Sequence, residues 1–140
     1  MAGKSVLYRI YEDLVGAVKE VIDTKYIFPD RPDSKQEEKP MTKFVVIDFP
    51  SDMEDYVIGS KRSLINTVGV IYLFTASARG DMLDIKASGN FTDSVIALFP
   101  INGKCCTAAN PVVRGRGSDG NGFHLTTITF DLQTKWRAFG

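Results

Sequence analysis

The sequence predicts an α+β fold: a small, mostly antiparallel sheet with two helices packed on one face, in the order α-β-β-α-β-β with a possible extra edge strand. Three observations carry that expectation. An apolar stripe at helical spacing opens the chain, two later runs are β-branched and aromatic at strand spacing, and the last third has the layout of a hairpin.

Residues 5–22 repeat Val6, Leu7, Ile10, Tyr11, Leu14, Val15, Val18, Val21 and Ile22 at intervals of three and four, which is one wide apolar face of a helix. The Ser5 hydroxyl can accept an orphan N–H of the first turn. Arg9, Glu12, Asp13, Lys19 and Glu20 fall on the solvent face. Pro29, Pro32 and Pro40 then bracket the charged run 33–39, a composition that neither helix nor strand uses well, so everything from Tyr26 to Met41 is expected to be exposed loop, mobile at about 29–41.

Residues 43–49 place Phe44 and Val46 on one face and Val45, Ile47 and Phe49 on the other, a strand apolar on both sides that Pro50 stops. A second strand is expected at 66–75, and the polar stretch 52–62 between them has room for a short edge strand at 56–58. Residues 77–100 read as a helix with Met82, Ile85, Val95, Ile96 and Phe99 as apolar positions. Gly89 and Asn90 weaken its middle, leaving open whether it is continuous, broken there, or begins only after Asn90. Pro100 ends it and Asn102-Gly103 makes a turn. Finally, residues 105–114 lead up, a long glycine-rich tip at about 114–122 turns, and residues 123–133 return.

At 140 residues the chain has the size of one domain, with no internal repeat. Its 17 basic and 17 acidic side chains leave no global field to draw it onto nucleic acid or an anionic membrane. No apolar run reaches the length of a spanning helix, and the N-terminus lacks the order of a signal peptide, so folding in the cytoplasm is expected. Cys105 and Cys106 are adjacent; neighbours on a strand point to opposite faces, which makes them structural thiols rather than a disulfide or a metal pair.

Few residues suggest chemistry. His124 has no serine, cysteine or carboxylate at the spacing of a nucleophilic or metal motif, and reads as a partly exposed strand residue. Asp48, Asp52, Glu54 and Asp55 could pair as acid and base or bind a hard cation, but a solvated bend after a strand accounts for them. Asp48 sits among apolar strand neighbours, so if buried it needs a partner. Residues 114–122 join two arginines to four glycines, yet follow neither phosphate-binding glycine motif; a flexible tip, or one that orders against a neighbouring subunit, fits better. The aromatics Phe44, Phe49, Tyr72, Phe74, Phe123 and Phe130 are spaced for a core. Trp136 and Phe139 near the chain end must dock back or meet a partner.

This order of elements, with a strand ending Ile47-Asp48-Phe49-Pro50 and a helix ending Ala97-Leu98-Phe99-Pro100, resembles the tail terminator, tail-completion and head–tail joining proteins of tailed bacteriophages and prophages. The resemblance covers nearly the whole chain and lies in element order rather than in a diagnostic motif. It implies a ring-forming homo-oligomer at the tail end or neck, with no enzymatic activity, cofactor or metal. Its implied partners are copies of itself and tail-tube or neck proteins, with no membrane, in the host cytoplasm during assembly and then in the virion. By position, the expected contacts are Arg31, Lys35, Glu37 and Glu38 in the first loop, Arg114, Arg116 and Asp119 at the hairpin tip, and Trp136 and Phe139. The tip is longer than the resemblance requires. Two other classes remain: a small binding module whose basic tip meets nucleic acid, without sequence specificity, or a phosphorylated ligand, and a hydrolase or transferase built on the Asp48–Asp55 carboxylates.

Overall fold

The computed structural model describes residues 6–32, 42–48 and 66–134. Two helices and six strands follow the order α1 (Val6–Val18), β1 (Ile27–Phe28), β2 (Lys43–Asp48), β3 (Asn66–Ala76), α2 (Ile85–Ile96), β4 (Ile101–Asn102), β5 (Cys106–Ser118) and β6 (Phe123–Thr134). The strands form one sheet in the order β1-β2-β3-β6-β5-β4. All neighbours are antiparallel except β1, which pairs parallel with β2 through Ile27 opposite Val45 and Phe28 opposite Val46.

The fold is therefore α+β as expected, with a mixed sheet and two further short strands. Ile27 is buried and Phe28 half-buried, which corrects the expectation that everything from Tyr26 to Met41 is exposed loop. Two residues are too few to leave a strand signal; their side chains are drawn in by the core. Residues 33–41 of that loop, and the expected edge strand at 56–58, lie outside the described residues.

Period-two alternation sorts the sheet into two faces. One face presents Val45 and Ile47 of β2, Ile71 and Leu73 of β3 and Ile128, Phe130 and Leu132 of β6 to both helices, where Ile10, Leu14 and Val18 of α1 and Phe91 and Val95 of α2 complete the main core. Ile10, Leu14 and Val18 have no exposed surface, and each such side chain contributes about 1.5–3 kcal/mol of transfer free energy. Gly69 of β3 faces Phe130 across the ladder, and the absent Cβ is what lets the ring lie there.

The other face holds a smaller aromatic core. The Phe44 and Phe74 rings stack at 4.4 Å, Phe123 meets Phe44 edge-on at 5.1 Å, and Phe28 closes the cluster at 6.0 Å.

The second helix begins at Ile85, capped by the Asp84 carboxylate, which accepts from the Ala87 N–H at 3.1 Å. Residues 77–84 are not its first turns. Gly80 and Asp81 both have positive φ, and the single 3-10 turn there precedes a non-helical Met82. Met82 and Ile85 are 66% and 63% exposed rather than core, which corrects the apolar pattern that put the start at 77. Gly89 and Asn90 lie inside the helix without breaking it.

The last hairpin also differs from expectation. Its first strand does not end at Arg114 but runs to Ser118, because Gly115 and Gly117 stay in register opposite Thr127 and Leu125. Two register shifts, between Ala109 and Val112 and between Val113 and Gly115, each insert one extra residue on the β5 side.

A candidate assembly edge, clamped at both ends

The outer side of β5 is the most unusual feature that this topology creates. β4 covers it only through Ile101 opposite Ala108 and Asn102 opposite Thr107. From residue 109 to 118, among the described residues, β5 has no strand on its outer side. Such an edge offers a row of backbone donors and acceptors that an extended segment of another chain can pair with. Val112 and Val113, which the first bulge leaves on opposite faces, are each 41% exposed beside it.

The base of this strand is gripped by α1. Asp13 Oδ2 accepts from the backbone N–H of Cys105 at 2.7 Å and of Cys106 at 3.1 Å. Gly103 allows this approach, since a Cβ there would overlap the Asp13 carboxyl group. Both cysteines are buried, and neither forms a disulfide among the described residues.

At the tip, two clamps hold the turn, one on each face of the sheet. On the face opposite the helices, the chain after β1 crosses the aromatic core so that the Arg31 guanidinium lies 4.9 Å from the centre of the Phe74 ring and pairs with Asp119. Asp119 Oδ1 also accepts from the N–H groups of Asn121 and Phe123, at 2.7 and 3.1 Å. The Asp119 side chain is 3% exposed. Burial alone works to raise the pKa of its carboxyl, but the hydrogen bonds from Asn121, Arg31 and Phe123 and the charge of Arg31 outweigh it and hold it below the ordinary value. Gly120 and Gly122 supply the positive φ that this tight return needs.

On the helix side, Ser77 Oγ and His124 Nδ1 share a 2.9 Å hydrogen bond, and Asp81 accepts from Ser77 at 3.4 Å and from Ser118 at 3.3 Å. Gly120 N–H donates in turn to Ser118 Oγ at 3.2 Å, and Ser77 N–H to the Gly122 carbonyl at 2.8 Å. A serine beside a histidine invites a nucleophilic reading. That chemistry needs a third group to orient the imidazole, whereas the Asp81 carboxylate here faces the two hydroxyls. The arrangement ties loop 77–82 to the hairpin.

Of the residues singled out from sequence, Arg31 and Asp119 meet directly, although 88 positions apart. Arg114 and Arg116 are both exposed on β5 but diverge. Arg114 Nε donates to Thr129 Oγ1 at 3.1 Å on the face opposite the helices, while Arg116 stands opposite Thr126 on the helix side. Lys35, Glu37, Glu38, Trp136 and Phe139 lie outside the described residues, as do Asp52, Glu54 and Asp55. Asp48 is exposed at the end of β2, so the question of a buried carboxylate does not arise. Sequence reasoning missed Asp13, Ser77, Asp81 and Ser118, whose partners are remote in the chain.

Elsewhere, an open groove of about 870 Å³ separates α1 from the segment around β4 and mixes Asp13 and Glu20 with Lys19 and Lys104. Among the described residues, no three His, Cys, Asp or Glu side chains group to hold a metal ion, and no helix is long and apolar enough to cross a membrane. No protein-family model matches the chain, and no curated protein does.

Proposed function

We propose that this chain is a structural subunit that oligomerises into a ring, of the tail terminator or tail-completion type, acting at the tail end or neck of a phage after assembly in the host cytoplasm. One observation carries the reading: among the described residues a long outer strand has no neighbour over residues 109–118, while α1 fixes its base and two clamps fix its tip. A strand held in place before binding loses little entropy when a partner adds to it, so its backbone groups can be used for association at low cost.

The divergence of Arg114 and Arg116 favours this reading over a basic tip that cradles one phosphate, because a single anion would need both guanidinium groups on one side. The test is mass in solution and reconstitution. A discrete ring-sized species, and its capture by tail tubes or connectors, is the expected result. A protein that stays monomeric at assembly concentrations and joins neither particle overturns the proposal.

A further inference from the structure

We infer that loop 77–82 and the tip of the last hairpin form a binding site for a divalent cation, with Ser77, Asp81, Ser118 and His124 as its side-chain ligands, whatever the chain assembles into. Five donor atoms of these four residues converge from three separate segments. His124 Nδ1 lies 2.9 Å from Ser77 Oγ, and Ser77 Oγ lies 3.4 Å from Asp81 Oδ1. Ser118 Oγ lies 3.3 Å from each of the two Asp81 oxygens.

Those separations suit ligands sharing an ion better than they suit hydrogen bonds. A hydroxyl donating to a carboxylate settles at roughly 2.5–2.7 Å, so all three contacts to Asp81 are long for charge-assisted bonds. Adjacent ligands of a six-coordinate cation lie about 1.4 bond lengths apart, which is about 3.0 Å for bonds of about 2.1 Å and about 3.4 Å for bonds of about 2.4 Å. Ser118 Oγ, equally far from both carboxylate oxygens, favours neither as an acceptor. It accepts one bond, from the Gly120 N–H, and so keeps a lone pair for a cation.

The backbone holds the four residues in place before an ion arrives. Ser118 and His124 stand opposite each other in the β5–β6 register, the Ser77 N–H is tied to the Gly122 carbonyl, and the Ala78 N–H bonds to the Met82 carbonyl at 2.7 Å, closing the turn that carries Asp81. Asp81 takes a φ of 64°, a conformation few non-glycine residues adopt, and in it the carboxylate faces both hydroxyls. Asp81 and Ser118 are exposed and Ser77 and His124 half-buried, so an ion can enter and keep water on its remaining positions.

The donor set names the class of ion. Serine hydroxyl and aspartate together hold Mg²⁺ in nucleotide-binding sites, whereas an imidazole nitrogen suits first-row transition metals. Mn²⁺, a first-row ion that favours oxygen, fits four oxygens and one nitrogen. With a single carboxylate the Kd is about 10⁻⁴–10⁻³ M, and exposed Arg79 and Arg116, each two residues from a ligand, work against tighter binding. Because two of the ligands are hydroxyls, no trio of His, Cys, Asp or Glu marks the place among the described residues.

The experiment adds MnCl₂ to the full chain and follows the electron paramagnetic resonance signal of the free ion, together with paramagnetic broadening of the protein's nuclear resonances. Wild type takes up one Mn²⁺ per chain, and the resonances of Ser77, Asp81, Ser118 and His124 broaden first. Asp81→Asn weakens uptake about tenfold or more, and asparagine tolerates the same backbone conformation, so the fold is kept, which circular dichroism and melting temperature verify. Ser118→Ala and His124→Gln each weaken it several-fold, while Asp131→Asn, on the other face of β6, leaves it unchanged. No saturable uptake at millimolar Mn²⁺ overturns the inference, as does uptake that Asp81→Asn leaves intact. Broadening centred away from these four residues overturns it too, and that reading needs no variant. His124→Gln that binds as wild type removes the imidazole from the site and overturns the ligand set.

Discussion

Replacing Gly69 by alanine tests the packing that sets the two faces of the sheet. A Cβ at this position would lie under 3.0 Å from Cζ and Cε2 of Phe130 and 3.1 Å from Cε1. The ring has little room to retreat, since Phe130 is buried and its centroid lies 5.2 Å from that of Phe99. Overpacking of this kind costs about 1–3 kcal/mol. Alanine recovers roughly 0.5–1 kcal/mol through the smaller entropy of its unfolded chain. The net loss is then about 1–2 kcal/mol, a fall in melting temperature of roughly 3–10 °C for a chain of this size. Phe130→Leu alone loses buried ring surface at a cost of about 1–2 kcal/mol. In the double variant the new methyl group occupies part of the vacated space, so the combined loss is smaller than the sum by about 1 kcal/mol. Thermal melts and urea titrations of the four proteins measure this directly. Gly69→Ala at or above wild-type stability, or strictly additive losses in the double variant, refutes the Gly69–Phe130 contact as described.

Four further predictions concern the clamps and caps. Arg31→Ala and Asp119→Asn each lower stability by about 1–2 kcal/mol and, in a double-mutant cycle, couple to each other rather than add. Because the folded carboxyl of Asp119 titrates below its ordinary value of 3.8, its contribution is present above that value and lost as pH falls through the folded pKa; Asp119→Asn therefore removes part of the acid-side loss seen in wild-type urea titrations. Asp13→Ala deprives the N–H groups of Cys105 and Cys106 of their acceptor, costs about 2–3 kcal/mol, and makes the two buried thiols react faster with a thiol reagent. Asp84→Ala costs about 1 kcal/mol, while Asp84→Asn costs less, because the amide oxygen still caps the Ala87 N–H.

What the sequence disclosed follows the range of each interaction. The first helix and the strands β2, β3 and β6 were legible because their apolar residues repeat with the period of their own geometry. Met82 and Ile85 misled for the same reason: they fit a helical spacing, but the positive φ at Gly80 and Asp81 stops any helix there and leaves both side chains in solvent. Gly115 and Gly117 looked like turn residues, yet hydrogen bonding across to β6 holds them in a strand, a cross-chain effect that composition does not carry. The candidate edge was partly visible, since Arg31, Arg114, Arg116 and Asp119 stood out by composition. Their arrangement was not. Arg31 meets Asp119 over 88 positions and Ser77 meets His124 over 47, and no local pattern signals such a pairing.

We propose that assembly runs through the outer edge of β5, which has no neighbouring strand over 109–118 among the described residues. Amide exchange over residues 112–118, compared between dilute protein and protein at assembly concentrations, tests it most directly. The structure leads us to expect strong slowing there on assembly, with little change in the β3 and β6 amides already paired within the sheet. Unchanged exchange along β5, in protein that sedimentation shows to be assembled, contradicts the claim.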